Sequence, residues 1–465
     1  MMDQGLLKEV LAEALKNGGD FADVFVEQKK ITGIGCEAGK IERIQSGIES
    51  GAGIRVISGD ATAYAYTNDL SREGMLNAAK IVSHAATGGK KSGVAEFRFV
   101  KPNVKFEIKV NPSEVTTEQK VLAVKAADGA ARAVDAEKIK QVMVGYADIV
   151  QKVIIANSQG DFVEDERVRT RLMVQAVAAE GSVIQTGYEA VGSHSGFELL
   201  QRNKPEEVGA KAARRAVQML GAKPAPAGKM VVVLAGEAGG TMVHEACGHG
   251  LEADLVQKGL SVYAGKKGQK VAADCITVID DATMEDRYGS YSVDDEGVPA
   301  RKVVLIENGV LKDYMYDRLT ARRDNVQPNG HGRRESYQDK PIPRMGNTYI
   351  APGKDDPQEI IKSVESGLLV KKMGGGQVNT TTGDFVFDVA EGYLIKNGQI
   401  GPMVRGATLT GNGPEVLKVV EKVGSDLGFT IGTCGKDGQG VPVSDAQPTM
   451  LVRQITVGGT AHGES

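Results

Sequence analysis

Leu7, Val10, Leu11, Ala14 and Leu15 recur three and four residues apart, the spacing that lines up one face of a helix, and Gly18–Gly19 follow where such a helix stops. The pattern predicts a helix over residues 5–17. Beyond it the period shortens towards two. Val24–Val26, Ile31–Gly35, Ile41–Ile44, Gly53–Ile57 and Thr62–Tyr66 read as strands separated by Gly and Asp turns. Residues 71–87 return to helical spacing. After Pro112 another helix opens, with Thr116 and Gln119 placed as a capping box. A second run of strands, Gln141–Tyr146, Val153–Ala156, Arg169–Ala178 and Ser182–Glu189, leads to a helix over 205–221. The order of helix and then strands thus occurs twice, with no residue-level repeat beneath it.

The stretch GAKPAPAGKM concentrates Pro, Gly and Ala, has few side chains to bury, and predicts a boundary near 222–228. After it, Met230–Leu234 reads as a buried strand. Asn308–Gly309, between Val303–Ile306 and Val310–Tyr314, and Asn397–Gly398 within GYLIKNGQIG are hairpin signals. The expected class is α+β with two domains. Residues 1–224 form N-terminal helices packed on antiparallel sheets, and residues 225–465 form a mostly-β domain carrying one helix of chemical interest.

A chain of 465 residues is too long for one ordinary core, which agrees with that division. Lys plus Arg number 56 and Asp plus Glu 60, a net charge of −4 that provides no general footprint for nucleic acid. Aromatic residues are 5% and Trp is absent, against a stacking platform for single strands. The cysteines Cys36, Cys247, Cys275 and Cys434 lie far apart, unlike a disulfide framework. The N-terminal segment mixes acids and lysines into its apolar residues, unlike a signal peptide. No later run approaches the roughly 18 apolar residues of a spanning helix. The expectation is a soluble, cytoplasmic protein without membrane or nucleic-acid partners.

Chemistry concentrates in EAGGTMVHEACGHGLEADL, where His244, Glu245 and His249 spell H-E-x-x-x-H. The zinc-protease motif H-E-x-x-H places two histidines four apart on one helical face with the glutamate as base. Here the second histidine comes one residue later, so a regular helix splays the imidazoles apart. Both reach one metal ion only where the helix widens into a π-bulge or ends. Gly248 and Gly250, on either side of His249, are residues that tolerate such a distortion. A catalytic zinc takes a third protein ligand and keeps one position open. The candidates are Glu252, Asp254, His331, Cys434 and His462. Cys434 is favoured, because TIGTCGKDGQG brackets a single thiol with glycines.

The H-E-x-x-x-H segment, GHGRRESYQDKPIPRM and TIGTCGKDGQGVPVSDAQPTM together resemble the TldD/PmbA metallopeptidase family, whose older label is modulator of DNA gyrase. Order, spacing and length agree from the N-terminal helix onward. The resemblance implies one zinc ion per chain, held by His244, His249 and Cys434, with Glu245 as general base. It also implies a heterodimer with a TldE/PmbA-type paralogue, a subunit that generally lacks the ligands, or else a homodimer. Its active site is enclosed in a cavity that admits unfolded or short peptides.

Two sequence features suit peptide handling. His331, Arg333, Arg334 and Tyr337 cluster in a glycine-flanked loop and are candidates for binding substrate and stabilising an oxyanion. Gly374–Gly375–Gly376, followed by Gln377–Thr382, suits a sheet edge to which an extended peptide adds. Two other readings stand beside the zinc peptidase. One is a cysteine peptidase using Cys434 with His331 or His462 as base. The other is a non-catalytic peptide-binding or regulatory subunit, its zinc structural and closed by Glu252 or Asp254.

Overall fold

The computed structural model describes residues 2–86 and 92–459. Its first layer is a seven-stranded sheet. β1 (Phe21–Glu37), β2 (Lys40–Ser58) and β3 (Ala61–Thr67) form one meander. β4 (Arg98–Phe99) is a short edge, and β5 (Ile139–Asn157), β6 (Asp161–Glu180) and β7 (Val183–Ser193) form a second meander. The meanders join where β1 pairs antiparallel with β5, and both β7 and β4 lie against β6.

These strands are longer than the sequence pattern predicts. The β1–β2 ladder runs from Phe21↔Ile57 to Glu37↔Lys40 without a turn at the internal glycines. Two of those glycines answer a different need, the close approach of another segment. A Cβ on Gly51 would lie 2.2 Å from the Tyr337 ring, and one on Gly53 would lie 1.9 Å from the Tyr64 hydroxyl.

Alternation gives the sheet two distinct faces. Even-numbered residues of β1, such as Val24 and Ile34, pack under helices. Gln4–Ala14 and Arg72–Ala85 cover one end of that face, and Thr117–Ala133 and Pro205–Leu220 cover the other. The capping box at Thr116 is present, its two bonds to Gln119 measuring 3.3 and 3.1 Å. Odd-numbered residues face the second half of the chain, where Phe25, Val153 and Ile155 pack with Val293 and Tyr337. Buried ion pairs cross the same junction: Arg55 reaches Glu296 at 2.7 Å, and Arg167 pairs with Asp295.

The second half holds a closed ring of five strands: Gly228–Leu234, Met450–Gly458, Thr408–Asn412, Asp384–Lys396 and Ser366–Val378, the last pairing back to the first. Ser366–Val378 is called the glycine strand below. A six-stranded sheet lies beside the ring and ends at one edge in Gly428–Lys436, the cysteine strand, paired with Gln439–Gln447. Both hairpin signals are turns with two positive φ angles, 48° and 78° at Asn308–Gly309 and 51° and 72° at Asn397–Gly398. The first hairpin is short: its second strand is only Val310–Leu311. No helix among the described residues is long and apolar enough to cross a membrane.

Candidate metal centre

A single turn of α-helix, Thr241–Val243, widens into a π-helical turn over His244–Gly248 and tightens into a 3-10 turn over His249–Leu251. The N–H of His249 bonds the carbonyl of His244, a five-residue step that brings the two imidazoles onto one side. Their ring centroids lie 4.9 Å apart at 86°. The flanking glycines serve packing rather than torsion. Gly248 has ordinary helical angles, φ −51° and ψ −61°. A Cβ there would sit 2.2 Å from Met345 Sδ, and one on Gly250 would sit 2.7 Å from the Tyr263 ring.

The cysteine strand brings Cys434 to the same place. One ligand atom from each of His244, His249 and Cys434 lies within 4.8 Å of the other two. Cys434 Sγ is 3.4 Å from His249 Nε2. On the far side of that ring, Nδ1 meets Glu252 Oε2 at 3.1 Å, and since a carboxylate only accepts, Nδ1 keeps a proton and Nε2, beside the Cys434 sulfur, is the nitrogen a metal would take. Glu252 is fully buried and ion-paired to Lys436 at 3.1 Å. Burial opposes its charge, but Lys436 and His249 outweigh that and hold the carboxyl down at about 2.

The other third-ligand candidates lie elsewhere. Glu252 orients His249, and Asp254 bonds Lys436 at 2.6 Å, so neither joins the cluster. His331 is buried with one ring nitrogen 2.9 Å from Asn329 Oδ1 and the other 3.2 Å from Asp280 Oδ1, which also removes it as a base for Cys434. His462 lies outside the described residues. Sequence reasoning misses Lys436 and takes Glu252 for a ligand candidate because their pairing spans two distant segments, although the spacing Cys434-x-Lys436 on one strand hints at a shared face.

The cluster has the donor chemistry of a zinc site. Burial raises the Cys434 thiol, yet hydrogen bonds and charge from His244 and His249 prevail and bring it to about 5, a thiolate near neutrality. His244 Nδ1 is buried without a hydrogen-bond partner, and Asp445 Oδ2 stands 3.7 Å away. Two imidazoles and a thiolate suit zinc, and donors of a tetrahedral zinc are roughly 3.5 Å apart, close to the Cys434–His249 separation. Glu245 points to the same space, and burial raises its carboxyl despite the two imidazoles beside it. Cys247 is sealed away, its Sγ 3.3 Å from the Val243 carbonyl and its thiol pushed by burial to about 12.

These groups open onto a cavity of about 930 Å³. Two strand edges line it. Lys372–Val378 of the glycine strand pairs only with Phe385–Glu391, because its other neighbour stops at Val370↔Leu234. The cysteine strand is the last of its sheet. Nothing lies within 4 Å of a Cβ built on Gly375 or Gly435, so another backbone has room to approach. His331, Arg333, Arg334 and Tyr337 do not line this cavity. Arg333 bonds the carbonyls of Met345 and Pro442, Arg334 bonds the Asp295 carbonyl at 3.1 Å, and Tyr337 N–H bonds Glu27 at 2.9 Å. The loop docks the second half of the chain onto the first, a packing role that a glycine-flanked run of polar residues does not reveal.

Three consecutive family models match this chain: PmbA/TldA metallopeptidase domain 1 over residues 22–86, its central domain over 110–220 and its C-terminal domain over 227–459. The chain belongs to the PmbA/TldD metallopeptidase family. Among relatives, the Metalloprotease TldD homolog of Haemophilus influenzae is 37% identical over 451 residues, covering 95% of this chain and 93% of its own. A Metalloprotease of Methanothermobacter thermautotrophicus is 37% identical over 462 residues, 99% of this chain and 100% of its own. The Zinc metalloprotease TldD homolog of Saccharolobus solfataricus is 31% identical over 325 residues, 69% of this chain and 72% of its own. The fold is shared with TldE from Thermococcus kodakarensis, at a TM-score of 0.78 and 19% identity over 98% of this chain and 100% of that one. It is also shared with a Thermotoga maritima protein whose name refers to modulation of a DNA gyrase, at 0.80 and 24% over 98% and 100%.

Proposed function

We propose that this family member is a cytoplasmic zinc peptidase that cleaves unfolded or short peptides, with one zinc ion per chain held by His244, His249 and Cys434 and with Glu245 as general base. One observation carries the reading. Ligand atoms from segments 185 residues apart converge within 4.8 Å on the wall of a cavity that Glu245 also faces. Zinc in this position supplies Lewis-acid polarisation of the scissile carbonyl and lowers the pKa of bound water. Glu245 takes the proton from the attacking water and passes it to the leaving amine; its burial raises its basicity towards that task. Glu252, clamped by Lys436, fixes the His249 ring. An extended substrate lies between the glycine and cysteine strands and bonds their free edges through its own backbone, which favours unfolded chains over side-chain sequence. A TldE/PmbA-type partner closes the cavity, and the chain divides into domains 1–224 and 225–465.

Elemental analysis of protein purified without added metal tests the site. About one zinc per chain in wild type, as a single site predicts, and loss in Cys434→Ala are expected. Zinc retained at that level in the variant would detach Cys434 from the metal. A chelator that abolishes peptide cleavage, restored by zinc, separates this reading from thiol catalysis at the Cys434–His249 pair. Cleavage assays with and without a co-purified paralogue test the partner.

A further inference from the structure

A second cavity, of about 330 Å³, lies between the two halves of the chain. Its floor is the odd-numbered face of the first sheet. The ladders set Lys29 beside Gln151 and Arg167, Ile31 beside Ile149 and Arg169, and Gly33 beside Ala147 and Arg171, so three arginines spaced two apart on β6 project the same way. The second half supplies the roof, including Tyr288, Arg333 and Thr433.

The charges there do not balance. Arg167 is matched by Asp165 at 3.0 Å and by Asp295. Among the described residues, the side chain of Arg169, nearly fully buried, bonds only the carbonyls of Tyr288 at 2.9 Å and Ser290 at 2.6 Å. Among the same residues, the side chain of Arg333, also buried, bonds only the carbonyls of Met345 and Pro442. The Arg171 side chain has no hydrogen-bond or ion-pair partner among the described residues, its backbone alone being paired in the ladders. The remaining acids do not fill the gap. Asp294, raised by burial and Glu296, accepts the N–H groups of Glu296, Val298 and Gly332, and Glu335 accepts the Gly440 N–H at 2.5 Å, so neither pairs with Arg169, Arg171 or Arg333. Burial, with Arg333 and Arg167 nearby, pushes Arg169 down to about 9, the mark of a charge in want of a counter-ion.

We propose that this cavity is an oxyanion-binding site in which Arg169, Arg171 and Arg333 take a carboxylate or a phosphate. Arg171 offers a whole guanidinium fork to the planar oxygens of either group, Arg169 and Arg333 add the N–H groups that their carbonyl bonds leave free, and Ile31 and Ile149 supply apolar wall. Thr433, next to Cys434, lines both cavities, so the anion is presented either free or on the end of a peptide lying along the cysteine strand. The proposal does not depend on the peptidase reading.

Titration calorimetry on the full chain tests it, at constant ionic strength against a chloride control, with three probes: inorganic phosphate, N-acetylalanine and N-acetylalanine amide. Saturable binding of phosphate, or of the acid but not the amide, is expected in wild type, and the pattern tells a free anion from a peptide carboxylate. Arg169→Gln removes a buried side chain and risks the fold, so Arg171→Gln, at a partly exposed and unbonded position, carries the decision. It should weaken binding about tenfold, the loss of one charge-assisted bond, at unchanged zinc content. Binding no stronger than chloride for every probe overturns the proposal. So does binding that Arg171→Gln leaves intact, since that places the anion on the metal or elsewhere.

Discussion

Glu245 and Glu252 are neighbouring acids of opposite character. Glu245 is raised by burial and faces open space, whereas Glu252 is held near 2 by a lysine and an imidazole. Their substitutions should therefore separate. Glu245→Gln should keep its zinc and lose about 10²- to 10⁴-fold in peptide cleavage, the range of a lost general base. A variant that cleaves at the wild-type rate removes Glu245 from that role. Glu252→Gln should instead weaken zinc affinity about 10- to 100-fold, read by competition with a chromophoric chelator, because the His249 ring loses its anchor. Unchanged affinity would show the pair to be structural only. The contrast marks what a sequence can disclose about a site. His244, Glu245 and His249 stand in one motif and are legible together. The Glu252–Lys436 pair joins residues near positions 250 and 436 that only the folded chain places in contact, and so it looked like a choice among ligands.

At the scale of elements, the odd spacing of the histidines forecast a widened or terminated helix, and the chain does both in succession. The glycines beside His249 were legible as necessary but not for the right reason, since a neighbour's proximity leaves no trace in local pattern. Gly248→Ala should press Met345 and the π turn apart, costing about 1–3 kcal/mol as overpacking does, and should lower zinc retention. Gly435→Ala, with open space at its Cβ, is the control expected to keep its zinc. Thermal unfolding and metal content of the two variants give the comparison; equal losses would refute the packing argument. The same blindness split β1 and β2 at their glycines. Ladder bonds along the whole hairpin, and Tyr337 seated on the bare backbone at Gly51, override the local turn preference.

For the whole molecule, the junction between halves holds a buried acid with a raised pKa. Burial and the nearby Glu296 raise the Asp294 carboxyl above its ordinary value in the folded chain. The folded state thus binds a proton that the unfolded chain has lost, and stability from this group declines as pH rises above about 4, the ordinary carboxyl value, towards the raised one. The stability advantage of wild type over Asp294→Asn should accordingly shrink across that window, measured by denaturant unfolding at pH 5, 6.5 and 8. A constant difference would place the shift elsewhere. The broad architecture, helices on antiparallel strands followed by a mostly-β half, was legible from periodicity; the closure of five strands into a ring was not, because its neighbours are far apart in sequence. That ring has a consequence for synthesis. Met450–Gly458 lies between Gly228–Leu234 and Thr408–Asn412, so a strand made after Cys434 is a central stave of the barrel. His249 leaves the ribosome 185 residues ahead of Cys434, and His244 before it, about 10 to 40 s at ordinary rates of elongation. A nascent chain that has made only the histidines therefore carries two of the three proposed ligands without the barrel to hold them, and a product truncated before Cys434 lacks the thiolate.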